Sequence, residues 1–119
     1  MRTSVALVHD DPSFTENAVA ALERAGFHVV VFSDPMAALD QIENLPNVDT
    51  LITRMTFPRG KPNGVSLALV LRTKMPHINV VFVARAGYER HASGVGIFIP
   101  QPADFGKLVE AVRTRLVSS

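Results

Sequence analysis

The stretch SVALVHDDPSFTENAVAALERAGFHVVVF (residues 4–32) contains a complete strand–helix–strand pattern. Its two ends, residues 4–9 and 27–32, are short runs rich in valine and apolar on both faces, as expected of strands that are covered on both sides. Between them, Asp11 is followed by a proline, which is typical of a helix start, and Gly26 marks the end of the helix. One helix face collects the apolar residues Phe14, Ala18, Ala21, Leu22 and Ala25.

The same alternation continues to the end of the chain. Further apolar runs occupy residues 50–53, 78–84 and 96–100, and helical patterns begin at the pairs Asp34-Pro35 and Asn63-Gly64 and again near residue 103. Alternating strands and helices predict a parallel sheet with helices on both faces, and right-handed crossovers leave few topologies. We expect the five-stranded order 2-1-3-4-5, a flavodoxin-like (βα)5 three-layer sandwich. The second helix should carry Ala38, Ile42 and Leu45, and the last should span about 103–117.

The segment RAGYERHASGV (residues 85–95) breaks this pattern. It contains glycine and serine breakers and little apolar periodicity, so a full helix is not expected there. We predict that the fourth helix is short or absent, with at most one turn around Tyr88 to Ala92.

Composition limits the function classes. The chain has 119 residues, the size of one domain, and 47% of them are apolar, which is enough for a core. The formal charge of +1 gives no reason to expect direct contact with nucleic acid or an anionic membrane. There is no cysteine, and no apolar run approaches the length of a signal peptide or a membrane span. We therefore predict a single cytoplasmic domain over residues 1–119.

The function should lie at one edge of the sheet. In this fold, ligands bind outside the carboxyl ends of the strands, where the strand order reverses. The stretch HDDP (residues 9–12) follows the first strand, and its two carboxylates could bind a hard cation such as Mg²⁺. On the alternative interpretation, Asp11 only caps the next helix and Asp10 is a solvated acid. Arg54 directly follows the third run, where it would face the same crevice.

Four segments together resemble the receiver domain of bacterial two-component response regulators. They are ALVHDDP (6–12), DTLITRMTFP (49–58), RTKMPHINVVFVARA (72–86) and FIPQP (98–102), and the resemblance covers essentially the whole chain. It implies the same flavodoxin-like fold. It also implies a role in phosphorelay signalling, in which a histidine kinase donates a phosphoryl group to an aspartate.

The resemblance assigns roles to individual positions. Asp10 and Asp11 match the acidic pair that helps to hold Mg²⁺, but Arg54 falls where the phospho-accepting aspartate belongs. Ala84 falls where a threonine or serine normally bonds the phosphoryl oxygen. Gln101 replaces the lysine that normally pairs with the phosphoryl group. Three positions that carry the chemistry of the family are therefore changed.

These changes predict a domain that keeps the receiver fold but does not carry out phosphoryl transfer. Phosphoryl transfer needs a carboxylate nucleophile, a metal that neutralises charge and fixed donors, whereas arginine stays protonated and alanine offers no hydrogen bond. We therefore expect a degenerate pseudo-receiver that is not an enzyme and has no cofactor. Asp10 and Asp11 are weak candidates for a Mg²⁺ site, because Arg54 would compete for them. Phe98, which matches the aromatic switch position, would become a packing residue.

Two interpretations of Arg54 are open. The side chain could point into solvent, or its guanidinium could pair with Asp10, with Asp11 or with both as a covalently attached cation in the place of Mg²⁺. We favour the pair, because the resemblance places both groups at one crevice. Such a pair would fix the surrounding loops in one state.

Three functions follow from this picture. The first is a protein-interaction module that contacts a signalling protein such as a histidine kinase or an output domain, or that forms a homodimer. Its contacts would use the first helix, or the face formed by the 85–95 segment, the fifth strand and the last helix. The second is a sensor of an anion or small molecule in the strand-end crevice. The third is a receiver phosphorylated elsewhere, for which Thr53, Thr56 and His9 are conceivable. Exposed candidate contacts on the interaction face are Tyr88, Arg90, His91, Arg113 and Arg115.

Overall fold

The helices and strands alternate as the sequence predicts. The computed structural model describes residues 3–57 and 61–118, with the side chains described as far as residue 113. In chain order the elements are β1 (Ser4–Val8), α1 (Pro12–Arg24), β2 (His28–Phe32), α2 (Pro35–Gln41), a short 3-10 turn (Ile42–Asn44), β3 (Val48–Arg54), α3 (Gly64–Lys74), β4 (Asn79–Arg85), α4 (Glu89–Ala92), β5 (Ile97–Gln101) and α5 (Phe105–Ser118).

The five strands form one parallel sheet in the order β2-β1-β3-β4-β5. This order confirms the predicted flavodoxin-like architecture. The register places Val8 beside Thr53, Arg54 beside Val83, and Arg85 beside Gln101. The last residues of β3, β4 and β5 therefore lie at one edge of the sheet, next to the loop that leaves β1.

Two apolar layers hold the helices to the sheet. One layer packs α2, α3 and α4 against residues such as Leu51 and Phe82, and the other packs α1 and α5 against residues such as Ile52 and Val83. All four of these strand residues are fully buried. Burial on both faces explains why the inner strands read as continuous apolar runs.

The helix starts follow the predicted caps. The carboxylates of Asp11 and Asp34 accept hydrogen bonds from backbone N–H groups of α1 and α2, and the side-chain oxygen of Asn63 does the same for α3. α4 is a single turn, as predicted from its poor periodicity. Among the described residues, no helix is long and apolar enough to span a membrane.

Three sequence expectations are corrected. The strand β2 is not covered on both sides: it lies at the edge of the sheet, and Val31 is 41% exposed. The second helix does not continue to Leu45, because the α-helix ends at Gln41 and is followed by the 3-10 turn. The last helix begins at Phe105 rather than 103, because Asp104 caps it by accepting from the N–H of Gly106 at 2.9 Å.

Candidate functional site

The side chains at the carboxyl edge of the sheet include an ion pair between Arg54 and Asp10. The guanidinium Nη1 of Arg54, at the end of β3, donates to Oδ1 of Asp10, in the loop after β1. The two side chains are 33% and 29% exposed, so the pair is partly shielded from water. The expected pairing of Arg54 therefore forms, and Asp10 is the partner.

The pair changes the titration of Asp10. Burial acts to raise the pKa of this carboxyl, but the hydrogen bond and the positive charge of Arg54 outweigh burial and leave the pKa below its ordinary value. Asp10 is thus held in its charged form by Arg54.

Asp11 has a different task. It is exposed, and its Oδ1 accepts the backbone N–H of Ser13 at 3.0 Å, which caps α1. The two acids of HDDP therefore diverge, one toward Arg54 and one toward the helix.

This donor set does not fit a resident divalent cation. Mg²⁺ binds oxygen ligands and is repelled by positive charge, whereas here a guanidinium occupies one carboxylate and a helix start occupies the other. Within the described ranges 3–57 and 61–113, no three His, Cys, Asp or Glu side chains group together to hold a metal ion. The weak Mg²⁺ site considered for Asp10 and Asp11 is therefore not supported by their geometry.

His9 is a packed residue. It is 3% exposed, its ring stacks on Phe14 with a centroid distance of 4.3 Å, and its Nδ1 accepts the N–H of Asp11 at 3.1 Å. Because Nδ1 accepts, the neutral ring carries its proton on Nε2, which has no hydrogen-bond partner among the described residues. Burial first and the charge of Arg54 second lower the pKa of His9 to about 4.

This shift predicts a loss of stability on mild acidification. Between pH 6.5 and about 4 the unfolded chain binds a proton at His9 that the folded chain does not, so the free energy of unfolding falls as the pH is lowered through this window. The full effect is on the order of 3 kcal/mol. Urea titrations at successive pH values measure it. His9→Asn keeps an acceptor for Asp11 but does not titrate, so it should flatten the slope in this window; an unchanged slope would contradict the assignment to His9.

The candidate phosphorylation sites differ in access. Thr53 is fully buried, and its hydroxyl donates to the carbonyl oxygen of Arg54 at 2.8 Å. Thr56 is exposed in the loop after β3. His9 is shielded by Phe14. Of the three residues, only Thr56 is exposed to solvent.

The remaining predicted positions surround a small cavity beside the ion pair. Ala84 and Gln101 line it together with Arg54, and its volume is about 120 Å³. Ala84 is 8% exposed, and its side chain offers no hydrogen bond to the cavity. Phe98 lies away from this cavity, half-buried against the apolar layer under α3 and α4.

The interaction face is only partly as predicted. Arg90, His91 and Arg113 are exposed, but Tyr88 is half-buried, because its ring packs against the apolar layer under α3 and α4. Arg113 pairs with Glu110 at 3.6 Å on the surface of α5. The side chain of Arg115 lies outside the described residues.

Comparison with known proteins identifies the family. A family model described as the response regulator receiver domain matches residues 5–113. The chain belongs to this family. No curated protein matches the chain.

Solved receiver structures share the fold of this receiver domain. A response regulator receiver protein from Sinorhizobium medicae WSM419 is 24% identical, with a TM-score of 0.86, over 97% of this chain and 94% of that chain. A receiver domain protein from Clostridium thermocellum is 20% identical, with a TM-score of 0.86, over 98% and 95%. The receiver domain from the hybrid histidine kinase CckA is 26% identical, with a TM-score of 0.79, over 95% and 98%. The chain is therefore a receiver domain of two-component signalling.

The contribution of the Arg54–Asp10 pair to the free energy of unfolding can be measured directly. Arg54→Ala leaves Asp10 without its partner in a partly shielded place, so the free energy of unfolding should fall by about 1–2 kcal/mol, between the values for exposed and buried pairs. The matched control is Lys61→Ala, which removes the more exposed pair of Lys61 with Asp34 and should cost less. Chemical denaturation compares the two variants. A loss for Arg54→Ala no larger than that of the control would mean that the pair contributes little.

Two further residues, Arg85 and Tyr88, line the same cavity as Arg54. Sequence reasoning places Arg85 among the strand ends where function is expected, because the carboxyl ends of parallel strands meet at one edge, but it gives this arginine no role. The place of Tyr88 in the cavity could not be predicted, since it depends on how tightly the 85–95 segment folds back.

Proposed function

We propose that this receiver domain is a pseudo-receiver: it does not accept a phosphoryl group at the usual position and acts as a protein-interaction module in a two-component pathway. The observation that carries the proposal is the ion pair between Arg54 and Asp10. A guanidinium occupies the place where the family resemblance puts the nucleophile, and it also engages an acid that the resemblance assigns to Mg²⁺. Both the nucleophile and the metal are thereby displaced.

The other changed positions support the same proposal. The methyl group of Ala84 and the neutral amide of Gln101 line the cavity beside Arg54. Alanine has no hydroxyl group to donate, and glutamine donates hydrogen bonds but carries no positive charge to stabilise a transferred phosphoryl group. A phosphoryl group in this cavity would lack two of its usual partners even if a nucleophile were present.

The ion pair also suggests a fixed signalling state. Arg54 joins the end of β3 to the loop after β1 through Asp10, and this contact needs no input to form. Phosphorylation switches act by biasing an element that has two arrangements. Here the loops are tied by a side chain of the chain itself, so the interaction surface would be presented constitutively.

The distribution of charge does not select the partner. On the face formed by α4, β5 and α5, the described side chains include three basic residues and, counting Asp104 directly before α5, three acids: Arg90, Lys107 and Arg113 against Glu89, Asp104 and Glu110. Arg113 and Glu110 also pair with each other. A partner class is therefore proposed from the family: a histidine kinase or an output domain.

Binding and phosphotransfer should separate in a direct test. Purified catalytic portions of histidine kinases from the source organism would be immobilised and incubated with the receiver domain, with and without labelled ATP and Mg²⁺. Binding of the receiver and transfer of the labelled phosphoryl group to it would be measured in the same experiment. We expect binding to at least one kinase, with the same affinity in the presence and absence of ATP and Mg²⁺, and no label on the receiver. Transfer of label to the receiver would overturn the proposal. Failure of every kinase to bind would leave the output domain as the partner class to be tested in the same way.

A further inference from the structure

The crevice continues into a second cavity on the side of α3. The first cavity, of about 120 Å³, ends at Met55, Thr56 and Tyr88, and these three residues also line a neighbouring cavity of about 320 Å³. Its other lining residues include Asn63, Val65 and Ser66 at the start of α3. We call the two together the α3–Tyr88 groove. Its combined volume falls within the range of small-molecule sites, roughly 300–1,000 Å³.

The short α4 leaves this groove open. α4 has a single turn, from Glu89 to Ala92, and Tyr88 precedes it directly. The ring of Tyr88 forms a wall shared by both cavities. The groove is therefore a consequence of the residues 85–95 of this chain.

One end of the groove is positively charged. Two arginines, Arg54 and Arg85, line the first cavity, and its described lining contains no carboxylate. Asp10 neutralises Arg54 from outside the cavity, whereas Arg85 is exposed and makes no ion pair with any described residue. One positive charge is thus left without compensation. The amide of Gln101 and the hydroxyl of Thr56 can donate hydrogen bonds in the same place.

The other end of the groove is mainly apolar. Met55, Val65 and Tyr88 supply apolar surface, and the polar lining residues there are Asn63, Ser66 and His91. The side-chain oxygen of Asn63 already accepts the N–H of Ser66 at 2.8 Å, so it caps α3 and is not free for a ligand. A ligand that fills both ends must combine one anionic group with an apolar body.

We propose that the α3–Tyr88 groove binds a small organic acid. A single carboxylate or phosphate group lies against Arg85 and Arg54, and an apolar body the size of about one ring lies against Met55, Val65 and Tyr88. The sensor function that the sequence left open referred to Asp10, Asp11, Arg54 and Gln101. The acids do not line the cavity, and Arg85 takes their place. This site does not depend on the proposed function, because neither the charge of Arg85 nor the apolar wall of the groove involves phosphoryl transfer or partner binding.

Matched probes test the two ends of the groove separately. Phenyl phosphate and benzoate carry both parts of the ligand, inorganic phosphate carries only the anion, and phenol carries only the ring. Dissociation constants from chemical-shift titrations of the wild-type domain are compared with those of Arg85→Gln and of the control Arg90→Gln. Arg90 is exposed on α4 and does not line the groove, so both variants should fold.

We expect phenyl phosphate or benzoate to bind at least about tenfold more tightly than phosphate or phenol, with shifts at Thr56, Val65 and Tyr88. Arg85→Gln should weaken that binding by about tenfold or more, and Arg90→Gln should not change it. The preferred probe distinguishes a carboxylate from a phosphate ligand. The proposal would be overturned if inorganic phosphate bound as tightly as the ring-containing acids, or if Arg85→Gln and Arg90→Gln had equal effects. It would also be overturned if no probe bound at millimolar concentration.

Discussion

The triple variant Arg54→Asp/Ala84→Thr/Gln101→Lys is expected to accept a phosphoryl group from acetyl phosphate in the presence of Mg²⁺, whereas the wild-type domain is expected to stay unmodified. The three positions line one cavity of about 120 Å³, so the new carboxylate, hydroxyl and ammonium groups would lie together. Removal of the guanidinium also frees Asp10, and two carboxylates could then offer oxygen ligands to the cation. This gain of reactivity is the largest functional change that the structure predicts.

Two control variants separate the effect of the nucleophilic carboxylate from the effect of the groups around it. Arg54→Asn in the same background of Ala84→Thr and Gln101→Lys has nearly the same shape but no nucleophilic carboxylate, and it should stay unmodified. The single variant Arg54→Asp should react more slowly than the triple variant, because a neutral amide and a methyl group still line the cavity. A folded triple variant that gains no phosphoryl group would show that the three substitutions do not account for the lost reaction.

Gly64→Ala is expected to cause the largest loss of stability, about 3 kcal/mol, at the upper end of the usual cost of overpacking. A methyl group at Gly64 would lie 2.0 Å from the carbonyl oxygen of Arg54 and 3.1 Å from the Cα of Met55. These are backbone atoms, and the N–H of Gly64 is also tied to the carbonyl oxygen of Met55 at 2.8 Å. Either the start of α3 or the end of β3 must move.

The matched control for Gly64→Ala is Gly106→Ala in the first turn of α5. There the new methyl group would meet only the side-chain oxygen of Asp104 that caps α5, at 3.2 Å, and no backbone atom. We expect a change within about 1 kcal/mol, because the higher helix propensity of alanine offsets a weaker cap. Chemical denaturation of both variants gives the comparison, and Gly64→Ala should also weaken the Arg54–Asp10 pair. Equal stabilities of the two variants would contradict the close approach of α3 to β3.

The sequence predicts the fold because its local signals agree. Apolar runs of strand length, Asp-Pro at two helix starts and Asn63 before α3 all point to the same alternation, and right-handed crossovers then limit the topology. The short α4 is visible for the same reason, since breakers interrupt its periodicity. Helix ends are harder to predict. The apolar spacing of Ala38, Ile42 and Leu45 predicts one continuous second helix, but the α-helix gives way to a 3-10 turn at Ile42.

The site is predicted in part. Strand ends meet at one edge of a parallel sheet, so the neighbourhood of Asp10, Arg54, Ala84 and Gln101 follows from topology. The choice of Asp10 over Asp11 does not follow, because it depends on the direction in which each carboxylate leaves the turn before α1. The burial of Tyr88 depends on tertiary packing that no local pattern encodes.

The most direct test of the central claim is the intact mass of the wild-type domain after incubation with acetyl phosphate and Mg²⁺. The triple variant Arg54→Asp/Ala84→Thr/Gln101→Lys, treated in parallel, shows that the donor is active. We predict that the wild-type mass stays that of the unmodified chain, because Arg54 cannot act as a nucleophile and holds Asp10 in an ion pair. A stoichiometric increase by the mass of one phosphoryl group would contradict the account.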